Sequence, residues 1–222
     1  MTSPPGRRIR GLDAEQRKQA RRDQLLDAAL QLFATDGYHN TSIEQICQAA
    51  YVGTKSFYEV FDSREDCYIA LLRRITERAT AAMVEALRDA PADEDRAMEL
   101  LVSTFVHAFL DDPRIAKASF GEAAGLSPAV ERERRSNRRW AAAFIESVWQ
   151  KYGVPTGELG VDTHRMAIGM IGGMFDMLGD WMLDADLTKA SDVDALVGDL
   201  VDFTRVVRFG LTAPGVRRVR SA

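Results

Sequence analysis

Few residues in this chain are arranged to make or break bonds. Its three histidines, His39, His107 and His164, lie far apart, and none pairs with a cysteine or glutamate at metal-ligand spacing. There is no Gly-x-Ser-x-Gly, no P-loop and no Gly-x-Gly-x-x-Gly. Cys47 and Cys67 lie twenty positions apart without a Cys-x-x-Cys partner, which fits free thiols in a reducing cytosol. Cys47 falls on an apolar stripe and is expected to be a buried, inert thiol. These residues point to no enzyme, no metal and no cofactor. What remains is the chemistry of recognition. Gly53, Thr54, Lys55, Ser56 and Tyr58 place two hydroxyls, a cation and a phenol within six positions. Such groups donate to phosphate oxygens and base edges. No carboxylate lies among them, and Glu59 sits at their edge. Thr41, Ser42 and Arg64 flank them as further donors to phosphates.

Helices must position this set, because no stretch alternates β-branched and polar residues long enough for a strand. Arg21 to Thr35 carries Leu26, Ala29, Leu30 and Phe33 at helical spacing and stops at Asp36-Gly37, with Gly as the left-handed residue past the helix. Thr41-Ser42-Ile43-Glu44 reads as a capping box that opens a short helix with Ile43, Ile46, Cys47 and Ala50 on one side. A tight break at Tyr51-Val52-Gly53 leads to a second short helix, Thr54 to Val60, burying Phe57 and Phe61. Ser63-Arg64-Glu65-Asp66 reads as another capping box, opening a long helix to about Asp89. Two short helices joined by a tight turn and backed by a third make a helix-turn-helix, whose second helix can enter the major groove. Further helices are expected at about 93–111, 114–124, 127–152, 161–186 and 191–211, giving an all-α chain of about nine helices.

The stretch Leu25 to Phe33, then Gly37-Tyr38, Thr41 to Ile46, Phe57 to Phe61 and Ser63-Arg64-Glu65 resembles the N-terminal domain of TetR-type transcriptional regulators. Order and spacing match over about residues 20–70. The resemblance implies a homodimeric repressor whose C-terminal helical domain binds a small ligand and thereby changes the spacing of two DNA-binding heads. This sequence departs from the family pattern in four places. Ala50-Tyr51-Val52 stands where the family has Ala-Gly before Val, so Tyr51 either takes a strained backbone, leaves the strain to Gly53, or points at DNA. Cys47 replaces a frequent Ala, Val60 a frequent His with its possible phosphate contact, and Arg64 a common Lys whose charge it keeps.

The rest of the chain is a larger helical body. The segment 161–186 is apolar nearly all round, with Met166, Ile168, Met170, Ile171, Met174, Phe175, Leu178 and Trp181, and Gly169, Gly172 and Gly173 allow close helix approach. With the broad apolar face of 191–211 it can pair with a twin as a four-helix bundle, so a homodimer through about 161–211 is expected; the alternative is that these helices close the monomer core. Phe105, Phe109, Phe120, Trp140, Phe144 and Trp149, with Met170 and Met174, are candidates to line an apolar ligand cavity, or else are plain core. His107 would orient a polar ligand group or be a satisfied core histidine. Arg132, Arg134, Arg135, Arg138 and Arg139 read as a solvated helix face.

Composition and charge bound the remaining possibilities. The 222 residues are 46% hydrophobic and 28% charged, enough for a real core and unlike a disordered chain. The net charge is -4, yet residues 1–22 carry seven bases and two acids, a net of +5 on an acidic body. A basic arm of this kind suits an anionic partner. Only five of the 29 basic residues are Lys, an arginine bias that hints at a GC-rich genome. The longest apolar run, Met166 to Phe175, is ten residues, against roughly 20 for a membrane span. No apolar signal core follows Met1, and a cytoplasmic, nucleoid-associated bacterial protein without membrane contact is expected. The expected divisions are a flexible basic arm at 1–19, a helix-turn-helix domain at 20–67 with its motif at about 42–61, a ligand-binding and dimerisation domain at 68–212, and a disordered basic tail at 213–222. The reading is a ligand-responsive repressor that binds a palindromic double-stranded DNA operator as a homodimer and is released by a small apolar or amphipathic effector. The runner-up is an architectural DNA-binding protein with no effector, which a closed core without a pocket would favour. A helical catalyst would need a polar cluster inside the pocket.

Overall fold

Every run of helical periodicity becomes a helix in the computed structural model, which describes residues 13–120, 127–155, 160–185 and 189–213. Among them are α1 (Ala14–Thr35), α2 (Ile43–Ala49), α3 (Thr54–Tyr58), α4 (Arg64–Asp89), α5 (Glu94–Leu110), α6 (Pro113–Phe120), α7 (Pro128–Lys151), α8 (Thr163–Asp184) and α9 (Ala190–Thr212), with no strand among the described residues. The all-α expectation holds. The first helix starts earlier than its apolar stripe suggests. Asp13 accepts the Gln16 amide at 2.8 Å and the Gln16 side chain accepts the Asp13 amide at 3.0 Å, a capping box that makes 14–19 helical rather than part of a flexible arm. The rest of that arm, 1–12, and the tail beyond Ala213 lie outside the described residues.

The described residues fall into two compact units. One lies within Met1–Ile75 and Arg114–Leu126, the other within Thr76–Pro113 and Ser127–Ala222. The division runs inside α4, past the boundary at 67 expected from the sequence, and α6 joins the first unit. The reason is visible in the packing. The buried Tyr68 hydroxyl donates to the Ala118 carbonyl at 2.9 Å, and Arg114 donates to Gln31 at 3.3 Å.

The first unit is built round Leu25, Ala29, Ile46, Phe57, Cys67, Tyr68 and Leu71, all fully buried. Phe33, Tyr38 and Tyr68 form an aromatic cluster with ring centroids 5.3–5.5 Å apart, which ties the loop after α1 to α4. Gly37 takes φ 81 past the end of α1, as its position required. In the second unit α7 and α8 pack along each other, and α5 and α8 both meet α9. Glu146 joins α7 to α8 by accepting from Thr163 at 3.0 Å and pairing with His164 at 2.8 Å. Arg208 pairs with Glu94 at 2.6 Å and Arg205 with Asp95 at 3.1 Å, fixing α9 on α5. Gly173 lets the α8 backbone approach Phe203, because a Cβ there would stand 2.8 Å from the ring.

Candidate nucleic-acid interface and apolar cavity

The α2–turn–α3 segment is held from behind. Ile46 and Phe57 are fully buried and Phe61 nearly so, so α3 has its inward side fixed by Phe57. On a helix of five residues that leaves Lys55 and Tyr58 on the outward side, while Thr54, exposed at the helix start, also meets the Cys47 thiol. All three are exposed, Tyr58 by 56%, as is Gly53, while Ser56 is half-buried. Lys55 forms no ion pair among the described residues. The acid at the edge of this surface is neutralised: Arg21 on α1 pairs with Glu59 at 2.6 Å. Arg22 lies over the Phe61 ring at 4.8 Å, so both arginines fasten α1 to the motif.

Three expectations for this segment are corrected. Ser42, not Thr41, caps α2: its hydroxyl accepts the Gln45 amide at 3.2 Å and Gln45 accepts the Ser42 amide at 2.7 Å. Thr41 is fully buried and its hydroxyl donates to the Gly37 carbonyl at 2.8 Å, so its side chain cannot reach DNA. The register slipped because Thr41-x-x-Glu44 and Ser42-x-x-Gln45 are equally good capping sequences, and burial of Thr41 chose between them. At α4, Ser63 accepts the Asp66 amide at 3.0 Å, but the Asp66 carboxylate takes the Asp62 amide rather than closing the box on Ser63. Arg64 is half-buried; it donates to the Thr41 carbonyl and lies over the Tyr38 ring at 4.4 Å. Its observed role is to brace the start of α2.

The turn itself is unusual. Tyr51 takes φ 53, and Gly53 takes φ -71 as the residue before α3. The tyrosine, not the glycine, therefore carries the left-handed backbone, at a cost of about 1–2 kcal/mol. Its side chain is 98% exposed. Both cysteines are buried and free, and burial pushes the Cys67 thiol up to about 12. Burial raises the Cys47 thiol as well, against a lowering contact from Thr54.

The second unit holds an apolar cavity of about 100 Å³ lined by α4, α5, α7, α8 and α9. Of the expected lining residues, Phe105, Phe109, Trp140, Phe144, Trp149, Met170 and Met174 all border it. Phe120 does not, because α6 belongs to the other unit. His107 is exposed and paired with Asp111 at 2.7 Å, so neither ligand orientation nor core burial describes it. The sequence reading missed Thr76, Thr80 and Met83 on α4, Asn137 on α7 and Phe175 on α8. Phe175 stacks edge-on against Phe105 and Phe109 at 5.3 and 5.4 Å, and its place beside Met174 was an available signal; nothing marks the two threonines. No lining side chain is charged. The indole N–H of Trp149, buried to 1% exposure, has no hydrogen-bond partner among the described residues. An unpaired buried donor costs about 1–3 kcal/mol. Among the described residues no cluster of histidine, cysteine and carboxylate is placed to hold a metal ion, and no helix is long and apolar enough to cross a membrane.

Residues 25–71 match the family described as bacterial regulatory proteins, tetR family. The HTH-type transcriptional regulator TcmR of Streptomyces glaucescens is 38% identical over 86 residues, covering 38% of this chain and 36% of that protein. The HTH-type transcriptional activator FasR of Mycolicibacterium smegmatis is 25% identical over 181 residues, 80% of each chain. The chain thus spans about a third of TcmR, and 52% of the regulator EthR of M. smegmatis. Among solved structures, the fatty acid degradation regulator FadR from Bacillus halodurans superposes with a TM-score of 0.68 at 21% identity, over 87% of this chain and 97% of that one. FadR from Bacillus subtilis, in complex with stearoyl-CoA, gives 0.66 at 21% identity over 81% and 95%. At that identity both likenesses concern the fold.

Proposed function

We propose that this chain, whose residues 25–71 match the tetR family of bacterial regulatory proteins, is a homodimeric transcriptional regulator that binds a palindromic DNA operator through α3 and is released by a small effector. The observation that carries the DNA-binding part is the exposed trio Thr54, Lys55 and Tyr58 on a helix anchored by buried Phe57, with Glu59 neutralised by Arg21. The Ser42 hydroxyl and the Gly53 amide flank that surface as donors to phosphates. A two-fold protein suits a palindrome with half-sites about one DNA turn apart. For the dimer, α8 and α9 supply the surface: Met166, Leu183, Val206 and Phe209 are exposed, and a Cβ on Gly169 or Gly172 would meet nothing within 4 Å.

The cavity favours an effector over a purely architectural role. Its uncharged lining suits an apolar or amphipathic molecule, and the unpaired Trp149 N–H suits one that presents a hydrogen-bond acceptor. The complex of B. subtilis FadR with stearoyl-CoA makes a long acyl chain the first probe to try. Effector binding would shift the dimer population away from the operator-competent state. Repression is the proposed mode. The name of FasR, an activator, supports activation as the second reading, which a promoter-reporter assay decides by the direction of change on gene deletion.

The test is fluorescence anisotropy on a duplex that the wild-type protein selects from a random pool. Tyr58→Ala should weaken binding by about fivefold to thirtyfold, the loss of a contact worth about 1–2 kcal/mol. Stearoyl-CoA should release wild-type protein from the duplex. A pool from which no duplex is enriched, or a Tyr58→Ala affinity equal to wild type, contradicts the reading.

A further inference from the structure

Tyr51 is the one non-glycine residue with a positive φ among the described residues. It holds a left-handed backbone at φ 53, which a side chain with a Cβ rarely adopts. Nothing among the described residues compensates for that. The side chain is 98% exposed, and neither its ring nor its hydroxyl has a partner among the described residues. Gly53, two positions on, takes an ordinary extended backbone at φ -71 and ψ 148, so it does not relieve the turn. A glycine at 51 would remove the strain and a large apolar surface from water in one step. Strain without internal return marks a residue whose contact is made elsewhere.

Its position says where. The residue lies three places before Thr54, so its Cα is within about 11 Å of that helix start. Like Thr54, Lys55 and Tyr58 on the helix that follows, it is exposed. In a helix-turn-helix the second helix enters the groove and the elements before it border the sugar-phosphate backbone. We propose that Tyr51 is a DNA-positioning residue whose hydroxyl donates a hydrogen bond to a backbone phosphate beside the recognition helix. The contact fixes the depth and register of α3 and reads no base. The inference rests on the DNA-binding reading above.

The experiment compares wild type, Tyr51→Gly and Tyr51→Phe on the duplex selected by wild-type protein, with thermal unfolding of each protein measured alongside. Tyr51→Gly is expected to have a Tm equal to or above wild type and an affinity lower by about fivefold to tenfold. Tyr51→Phe should lose a similar factor, because it keeps the ring and removes the donor. Opposite movement of Tm and affinity cannot come from a folding defect. Wild-type affinity in Tyr51→Gly overturns the inference while leaving the DNA-binding reading in place. Lost affinity in Tyr51→Gly with full affinity in Tyr51→Phe overturns the hydroxyl contact. Failure of wild-type protein to select any duplex overturns both.

Discussion

At the scale of single residues, the motif divides into side chains that build it and side chains left over. Thr41 and Arg64 belong to the first group. Thr41 is fully buried with its hydroxyl on the Gly37 carbonyl, and Arg64 joins the Thr41 carbonyl to the Tyr38 ring. Thr41→Val should therefore lower stability by about 1–2 kcal/mol, seen as a reduced Tm, through the unpaired Gly37 carbonyl. Lys55 belongs to the second group. Lys55→Ala should leave Tm unchanged, weaken binding to all duplexes by a similar factor, and reduce the salt slope of log affinity by about 0.9. An unaltered slope would take Lys55 off the phosphate backbone. The thiols are a further residue-scale test. With Cys67 pushed up to about 12 and Cys47 raised by burial, the thiolate forms are scarce at pH 8, and folded protein should resist a disulfide reagent that both cysteines meet in denaturant.

At the scale of elements, much of the molecule is legible in its sequence, for reasons that differ from place to place. The long helices announce themselves by apolar period, and Asp36-Gly37 marks the end of α1 because few residues but glycine accept φ 81. The start of α1 is not visible in that way, since the turns from Ala14 to Gln19 are mostly exposed and carry no stripe; only the Asp13–Gln16 box marks it. The cap of α2 is ambiguous locally and is settled by tertiary burial of Thr41. The apolar cavity shows the same limit. Its aromatic wall on α5 and α7 is readable, but Thr76 and Thr80 carry no sequence mark, and Phe120 is lost to the other unit by the bond from Tyr68 to Ala118. Glycines on α8 give an element-scale prediction. Gly173→Val places a side chain against Phe203 at 2.8 Å and should cost about 1–3 kcal/mol of subunit stability. A Cβ at Gly169 would meet nothing within 4 Å in the subunit, so Gly169→Leu should keep subunit stability. If α8 packs against a twin there, the same change should turn a dimer into a monomer in sedimentation. A dimer that survives Gly169→Leu places the interface elsewhere.

At the scale of the whole molecule, a net charge of -4 is the sum of +5 over residues 1–22 and -9 over the rest, so an acidic protein still carries a basic N-terminal segment. Under the proposed effector reading, where the Trp149 N–H meets an acceptor on the guest, Trp149→Phe should keep affinity for a plain alkyl chain and lose about fivefold for a chain with an acceptor, read by calorimetry. An equal loss for both would make Trp149 a packing residue only. The central claim is that a symmetric dimer presents two copies of α3 to one face of DNA. Hydroxyl-radical footprinting on the duplex selected by wild-type protein tests it most directly. The account predicts two protected segments related by a dyad, about one helical turn apart, both lost in Tyr58→Ala. A single protected segment, protection without symmetry, or a footprint that Tyr58→Ala leaves intact would contradict it.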